Sequence, residues 1–321
     1  MIKYIIRRIL VAIPVFFGTT LLVYVLANMA PGSPVDLLAA ATDMTQEQLE
    51  EYKAFLGLDK PVIVRYGLRV LAFLQGDLGL SSATNQPVFD MITSRAGATF
   101  TLTITALFLS LLVGVPLGLM AARKPHSFAN TLSNGIAFLG SSVPNFFISL
   151  ICIYLFAVKL HLLPASGMYT STTEQTIGDL LYHLILPASL VALSIVGNFI
   201  KQTKGAALDV LSEDYVRTAK AKGIGERLVV LRHVLRNSLT PIITEISTGI
   251  PFLVAGTVTI ERIFSWPGLG SLMMNAISSR DYNVITGITA VIAVIVLIAN
   301  LLLDIVYAWL DPRVDFNTMK K

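Results

Sequence analysis

The sequence predicts an all-α membrane protein with six transmembrane helices and a small extracytoplasmic domain between the first two of them. Hydrophobic residues make up 54% of the 321 residues and charged residues only 14%, whereas soluble domains carry about 25% charged residues. The hydrophobic residues form long runs without the alternation that strands show. In lipid such runs must satisfy their own backbone hydrogen bonds, and this favours helices.

Six apolar runs reach or approach the length of about 18 to 20 residues that a spanning helix needs. They cover residues 9–29, 99–121, 133–158, 184–200, 243–260 and 284–310. The first run follows the basic residues Lys3, Arg7 and Arg8, as the apolar part of a secretory signal does, but it is longer than the roughly 7–15 residues of such signals. We therefore predict an uncleaved first span. Prolines 116, 144, 187 and 251 lie inside the four middle runs, where proline is expected to kink a helix.

The distribution of basic residues predicts that both termini are cytoplasmic. One side of the predicted topology holds 16 Lys and Arg in the N-terminal segment, residues 122–132, residues 201–242 and the tail after 310. The other side holds 8, of which 5 belong to the long segment 30–98. Since positive charge is retained in the cytoplasm, the first side faces inward. The net charge of +4 comes from basic residues on the predicted cytoplasmic side, where anionic lipid attracts them. A nucleic-acid partner is therefore not expected.

The chain divides into four predicted parts. Residues 1–29 form the N-terminus and first span, 30–98 the extracytoplasmic domain, 99–310 the transmembrane core with five helices, and 311–321 the cytoplasmic tail. In the second part, Thr45 and Gln48 have the spacing of a capping box that opens a helix. A further helix is expected after Pro61, with apolar residues at helical spacing.

Residues 201–242 form the cytoplasmic loop that carries the strongest functional signal. Ser212, as a candidate N-cap, and the two acids that follow it predict the start of a short helix, and Gly223 predicts its end. Tyr215, Val216 and Ala219 give this helix an apolar stripe. Three interpretations fit these residues: a helix resting on anionic lipid, a solvated connector, or a helix that binds a cytoplasmic partner.

Several short motifs along the chain have a recognisable form. They are YVRTAKAKG at 215–223, LRHVLRN at 231–237 with Pro241, APGSP at 30–34, GDLGLS at 76–81, ERIFSWPGLG at 261–270, RDY at 280–282, Asp304, Tyr307 and DPR at 311–313. Together they resemble the ABC importer permeases of the dipeptide, oligopeptide and nickel class. The wider family begins its coupling motif with Glu-Ala-Ala. Here Arg217, Thr218 and Ala219 replace that triplet while Gly223 keeps its place, which is the form usual in the peptide/nickel class. The long segment after the first span is similar to the B-type subunit.

The resemblance implies a complex in the bacterial cytoplasmic membrane. This chain would pair with a second, C-type permease, two cytoplasmic ATPases that bind ATP and Mg, and an extracytoplasmic substrate-binding protein. The residues implied in coupling to the ATPase are Tyr215, Val216, Arg217, Ala219, Lys222 and Gly223. The cargo implied is a dipeptide or oligopeptide, with a glutathione-like peptide, nickel or a metal chelate as alternatives.

This chain is not expected to be an enzyme or to hold a cofactor. It lacks the Gly-rich Lys-Ser/Thr loop that cradles nucleotide phosphates and any Cys/His spacing typical of zinc. An ion-coupled secondary transporter is the other alternative, although no internal repeat supports it. The family resemblance implies that a short helix after Trp266 dips toward the membrane; the alternative is a helix that rests on the interface, with Trp266 in the aromatic belt. The candidate residues of the translocation path are Asn145, Asn198, Pro251, Asn300 and Met274.

Overall fold

The computed structural model describes residues 2–41, 45–55, 57–124, 126–171 and 175–310. Its secondary structure is helical, as predicted, and the chain folds into two compact units. The first unit comprises residues 1–97 and 268–298, and the second comprises residues 98–267 and 299–321. The predicted tail 311–321 lies outside the described residues.

The first unit contains five helices and the beginnings of two more. The helices are α1 (Ile2–Met29), α2 (Pro34–Ala41), α3 (Gln46–Phe55), α4 (Val62–Leu74), the start of α5 (Val88–Arg123), α12 (Leu269–Ser278) and the start of α13 (Tyr282–Leu310). The predicted capping box opens α3, because the Thr45 N–H donates to Gln48 Oε1 at 2.9 Å and the Gln48 N–H donates to Thr45 Oγ1 at 3.3 Å. The helix predicted after Pro61 is α4.

The core of the first unit joins parts of the chain that lie far apart in sequence. It contains Leu78, Val88, Ile92, Leu269, Leu272, Ala276, Val284, Ile285 and Ile288. Beside it, the buried Asp281 caps α13 by accepting the Val284 N–H at 3.2 Å. Its other oxygen accepts from Ser81 Oγ at 2.5 Å. Two of the sequence motifs therefore meet in one buried hydrogen-bond network.

The second unit is built around α8, which packs against the helices on both sides of it in sequence. Its elements are the rest of α5, α6 (Phe128–Ser142), α7 (Asn145–Cys152) with a π-helical continuation (Ile153–Lys159), α8 (Ile177–Ser212), α9 (Asp214–Ala221), α10 (Glu226–Val229) with a π-helical continuation (Val230–Val234), α11 (Leu235–Ile263) and the end of α13. Small residues allow close approach: a Cβ on Gly197 of α8 would lie 3.0 Å from Ala137 Cα of α6.

The kink predicted at Pro144 in the run 133–158 is confirmed, and it is a full break between two helices. The chain breaks at Val143 and Pro144, and the axes of α6 and α7 are bent by 108°. Pro144 has no N–H to continue the helix, and its ring pushes the preceding residue into extended conformation. Val143 accordingly has φ −101° and ψ 128°. By contrast, Pro116 and Pro187 lie inside the uninterrupted helices α5 and α8.

Helices occupy all six positions at which spans were predicted. Four of them, α1, α5, α8 and α13, are long and apolar enough to cross a membrane within the described residues, and the α6–α7 pair adds a fifth if it is counted as one span. The fifth predicted run, 243–260, lies inside the 29-residue α11. The length of the fourth helix was underestimated, because the predicted run covers 184–200 whereas α8 extends from 177 to 212. The exact number of six spans remains a prediction.

Candidate coupling site and translocation path

The segment 201–242, predicted as a loop, is mostly helical. α8 continues through it to Ser212, and α9 begins at Asp214. The expectation that Ser212 caps α9 is wrong, because Ser212 Oγ instead donates to the Asp209 carbonyl at 2.7 Å within α8. Glu213 is the N-cap residue and makes no side-chain capping bond. One extended residue therefore separates the end of a 36-residue helix from the start of α9.

Gly223 ends α9, as the sequence predicted. Its φ of +77° lies in the left-handed region, which glycine adopts without a steric penalty. The Gly223 N–H donates to the Lys220 carbonyl at 3.0 Å, and the Ile224 N–H donates to the Ala219 carbonyl at 3.3 Å. This pair of bonds is the Schellman motif. Ile224 also packs against the buried cluster to which Ala219 belongs, as the hydrophobic contact that accompanies this motif does.

The predicted apolar stripe of α9 faces the chain itself. Val216 and Ala219 are buried in a cluster with Val229, and Val210, Leu211 and Ile224 pack against this cluster. The expectation that Tyr215, Val216 and Ala219 together present an apolar surface to a partner is therefore wrong. Val216 and Ala219 instead hold α9 against the end of α8 and against Val229, the last residue of α10.

The outer surface of α9 is polar with one aromatic ring. Tyr215 is 44% exposed, and its hydroxyl accepts from Asn237 Nδ2 at 3.1 Å. Its ring centroid lies 6.5 Å from that of His233. Arg217 and Lys222 are exposed, and Arg217 Nη1 lies 3.5 Å from a carboxylate oxygen of the exposed Asp214. An exposed pair of this kind contributes little to stability, so these side chains remain available to another molecule.

Sequence reasoning missed two apolar residues on the same part of the chain. Leu228 is 52% exposed and Leu231 is 62% exposed, whereas the neighbouring Val229, Val230 and Val234 are buried. The buried positions 230 and 234 stand four apart, so Leu231 lies on a different face of the helical segment. Leu231 is the first residue of the LRHVLRN motif, and this motif is the sequence feature that could have identified it as a candidate functional residue. We define the coupling surface as Tyr215, Arg217, Lys222, Leu228 and Leu231.

A salt bridge attaches the segment after α9 to the end of α5. Arg123 Nε donates to Glu226 Oε1 at 3.2 Å, and Arg123 Nη2 donates to Glu226 Oε2 at 2.6 Å. The hydrogen bond from Arg123 holds the pKa of the Glu226 carboxyl below its ordinary value. The two-pronged geometry restricts orientation more than a single contact does. The backbone that follows Gly223 is therefore held in place from a second helix.

The residues predicted for the translocation path lie on five different helices, α7, α8, α11, α12 and α13. Asn198 is exposed on α8, and Asn145 is half-buried at the first turn of α7. Asn300 Oδ1 accepts from Ser247 Oγ at 3.5 Å. Met274 lies on the predicted short helix, α12, and is 37% exposed. Pro251 falls within α11, and its side chain lies outside the described part of the chain. Their role in a path remains a prediction.

The fold and this site define a class: a polytopic membrane subunit with a short capped helix between two long apolar ones. The chain belongs to the family of binding-protein-dependent transport system inner membrane components. The family profile matches residues 114–316, and the profile of the family's N-terminal part matches residues 1–103. The chain is thus a membrane-spanning permease component, as its motifs indicated.

Two relatives and one solved structure agree with this assignment. The oligopeptide transport system permease protein AppB of Bacillus subtilis is 38% identical over 317 residues, covering 98% of this chain and 100% of the relative. The dipeptide transport system permease protein DppB of Escherichia coli is 34% identical over 335 residues, covering 98% and 99%. A structure of the MetNI methionine ABC transporter matches with a TM-score of 0.56 and 12% identity over 70% of this chain and 97% of that chain. At this identity the likeness concerns the fold alone.

Proposed function

We propose that this chain is one of two permease subunits of an ATP-driven importer and forms half of the translocation path for dipeptides or oligopeptides. An external binding protein would deliver the peptide, and two cytoplasmic ATPases would bind ATP and Mg. A second, C-type permease would complete the path. The family assignment and the peptide transport named in both relatives support this proposal. They favour peptide cargo over nickel or a metal chelate.

The single observation that carries the proposed mechanism is the attachment of α9. Val216 and Ala219 fix its inner face, and Tyr215, Arg217 and Lys222 stay exposed on its outer side. α9 follows α8 after one residue, and α8 continues for 36 residues. Movement of α9 by a bound ATPase would therefore be transmitted directly to α8, because no flexible linker separates the two helices. ATP biases such an element only by binding its two states differently, and in this complex it does so at the ATPases.

Uptake by the reconstituted complex tests this function. We expect vesicles that contain both permeases and the ATPases to accumulate a labelled tripeptide when the binding protein is outside and ATP is inside. ADP in place of ATP is the control and should give no accumulation. Uptake that requires an ion gradient and not ATP would instead support a secondary transporter, and selective accumulation of nickel would overturn the peptide assignment.

Cysteine labelling tests the proposed orientation, with both termini in the cytoplasm. The only cysteine is Cys152, so single cysteines are introduced into a Cys152→Ala background. Ser171, Asn85 and Lys222 are all exposed. In intact cells we expect an impermeant maleimide to label Ser171→Cys and Asn85→Cys, and to label Lys222→Cys only after lysis. Labelling of Lys222→Cys in intact cells would reverse the orientation.

A further inference from the structure

Helix α4 has an apolar face that none of the described residues of the first unit covers. Ile63, Val64, Leu68, Leu71 and Leu74 are each between 48% and 68% exposed. All five lie within a single helix of 13 residues. In water such a concentration of exposed aliphatic side chains is unfavourable, and contiguous apolar patches mark contact with another molecule or with a membrane.

The opposite face of α4 packs along the middle of α1. The Tyr66 hydroxyl lies 2.8 Å from Thr20 Oγ1 and donates to the Phe17 carbonyl at 3.0 Å. The ring centroids of Phe73 and Phe16 are 5.6 Å apart. These contacts fix the position of α4 along the axis of α1, from Tyr66 near Thr20 to Phe73 near Phe16.

This position places α4 at membrane depth. α1 is a candidate span, and Phe16 is the midpoint of its residues 2–29. At a rise of 1.5 Å per residue, Phe16 lies about 20 Å from the Met29 end of the helix. Half of the hydrocarbon core is only about 15 Å thick. If α1 crosses the bilayer, Phe73 and the C-terminal half of α4 lie within hydrocarbon, and the exposed leucines face lipid.

A basic pocket lies next to this helix. It has a volume of about 260 Å³, and its lining includes Tyr24, Lys60, Arg65, Leu68, Arg69 and Tyr282. The lining thus contains three cations and two tyrosines but no carboxylate. Arg69 is already bonded to Asn283, whereas the Lys60 ammonium and the terminal nitrogens of Arg65 have no protein partner among the described residues. Arg65 Nε donates to the Lys60 carbonyl at 3.0 Å, which holds the guanidinium at the pocket.

We propose that α4 lies in the membrane leaflet at the Met29 end of α1, and that this pocket binds the phosphate of a phospholipid headgroup. Arginine and lysine without partners suit phosphate oxygens. Leu68 belongs to both the pocket and the exposed apolar face, so it provides the path from headgroup to acyl chain. Helix α4, which belongs to the segment 30–98 predicted as an extracytoplasmic domain, would then be a lipid-bound element. The proposal goes beyond the transport function and does not depend on it.

Spin labelling at Leu71 tests the depth of α4. Leu71→Cys in the Cys152→Ala background is labelled in the complex purified with its partners and placed in phosphatidylglycerol nanodiscs. We expect high collision with dissolved oxygen and low collision with a water-soluble nickel chelate. Gln86→Cys, exposed in the same unit, is the control and should show the reverse. High collision with the nickel chelate at Leu71 places α4 in water, and low collision with both reagents shows that a protein partner covers it; either result overturns the proposal.

Lipid retention tests the pocket. The double variant Lys60→Gln and Arg65→Gln should retain phosphatidylglycerol about tenfold more weakly than the wild type in native mass spectrometry, because two charge-assisted contacts are lost. Lys53→Gln, which removes an exposed charge from α3, is the matched control and should retain lipid normally. If the double variant melts at a lower temperature, the exposed Lys60→Gln alone replaces it.

Millimolar inorganic phosphate distinguishes the two sources of a phosphate group. We expect it to leave the lipid bound, since it cannot replace the contact of the acyl chain with Leu68. Displacement of the lipid by phosphate would identify a free-phosphate site and overturn the proposal, as would equal lipid retention by the double variant and the wild type.

Discussion

Replacing Arg217 with glutamate is expected to reduce ATP-driven peptide uptake at least about tenfold and to lower the recovery of ATPase with the purified complex. The side chain of Arg217 is exposed on the coupling surface, so reversing its charge does not disturb the chain's own core. At an interface built for a cation, a like-charge contact costs several kcal/mol. The melting temperature of the variant should therefore equal that of the wild type, and only the association should fail.

Two further variants separate docking from folding. Arg217→Lys keeps the charge and should retain most of the uptake. Ala219→Glu places a carboxylate in the cluster of Val216 and Val229, where an unpaired charge is strongly unfavourable, so both ATPase recovery and protease resistance of α9 should fall. Undiminished ATPase recovery and normal uptake with Arg217→Glu would show that α9 rests on lipid or solvent and would remove the coupling assignment.

Replacing Trp266 with alanine is expected to destabilise the second unit by about 3–5 kcal/mol, as large-to-small changes of a buried aromatic residue do. Trp266 is among the largest fully buried side chains of the described chain, and its core includes Leu102, Leu184 and Phe264. Its Nε1 donates to the Ala98 carbonyl at 2.9 Å. The change therefore leaves both a cavity and a buried acceptor that has lost this donor.

Thermal unfolding of the purified protein and its abundance in membranes measure this effect. Phe128→Ala is the matched control, because it removes an aromatic ring that is 80% exposed and should change the melting temperature little. The alternative prediction that Trp266 lies in the aromatic belt at the membrane surface makes the two variants behave alike. Equal melting temperatures for Trp266→Ala and Phe128→Ala would thus contradict the buried role.

Two local features of this protein could be predicted from the sequence because they depend on interactions between residues that are close together along the chain. The capping box at Thr45 and the end of α9 at Gly223 each involve hydrogen bonds between residues at most five apart. The existence of helices at the six apolar runs follows from composition, because lipid leaves the backbone few other ways to satisfy its polar groups. The coupling motif was located by its resemblance to the permease family, and only the end of its helix at Gly223 followed from short-range chemistry.

The direction in which side chains face and the positions of helices against one another could not be predicted from the sequence, because packing between distant segments sets them. α9 is amphipathic in sequence, but only the cluster with Val229 shows that Val216 and Ala219 point inward and leave Arg217 outside. The same holds for α4, whose place along α1 is set by contacts of Tyr66 and Phe73 with residues about fifty positions earlier in the chain. Periodicity shows that a helix has an apolar face, whereas the partner of that face is chosen by packing between segments distant in sequence.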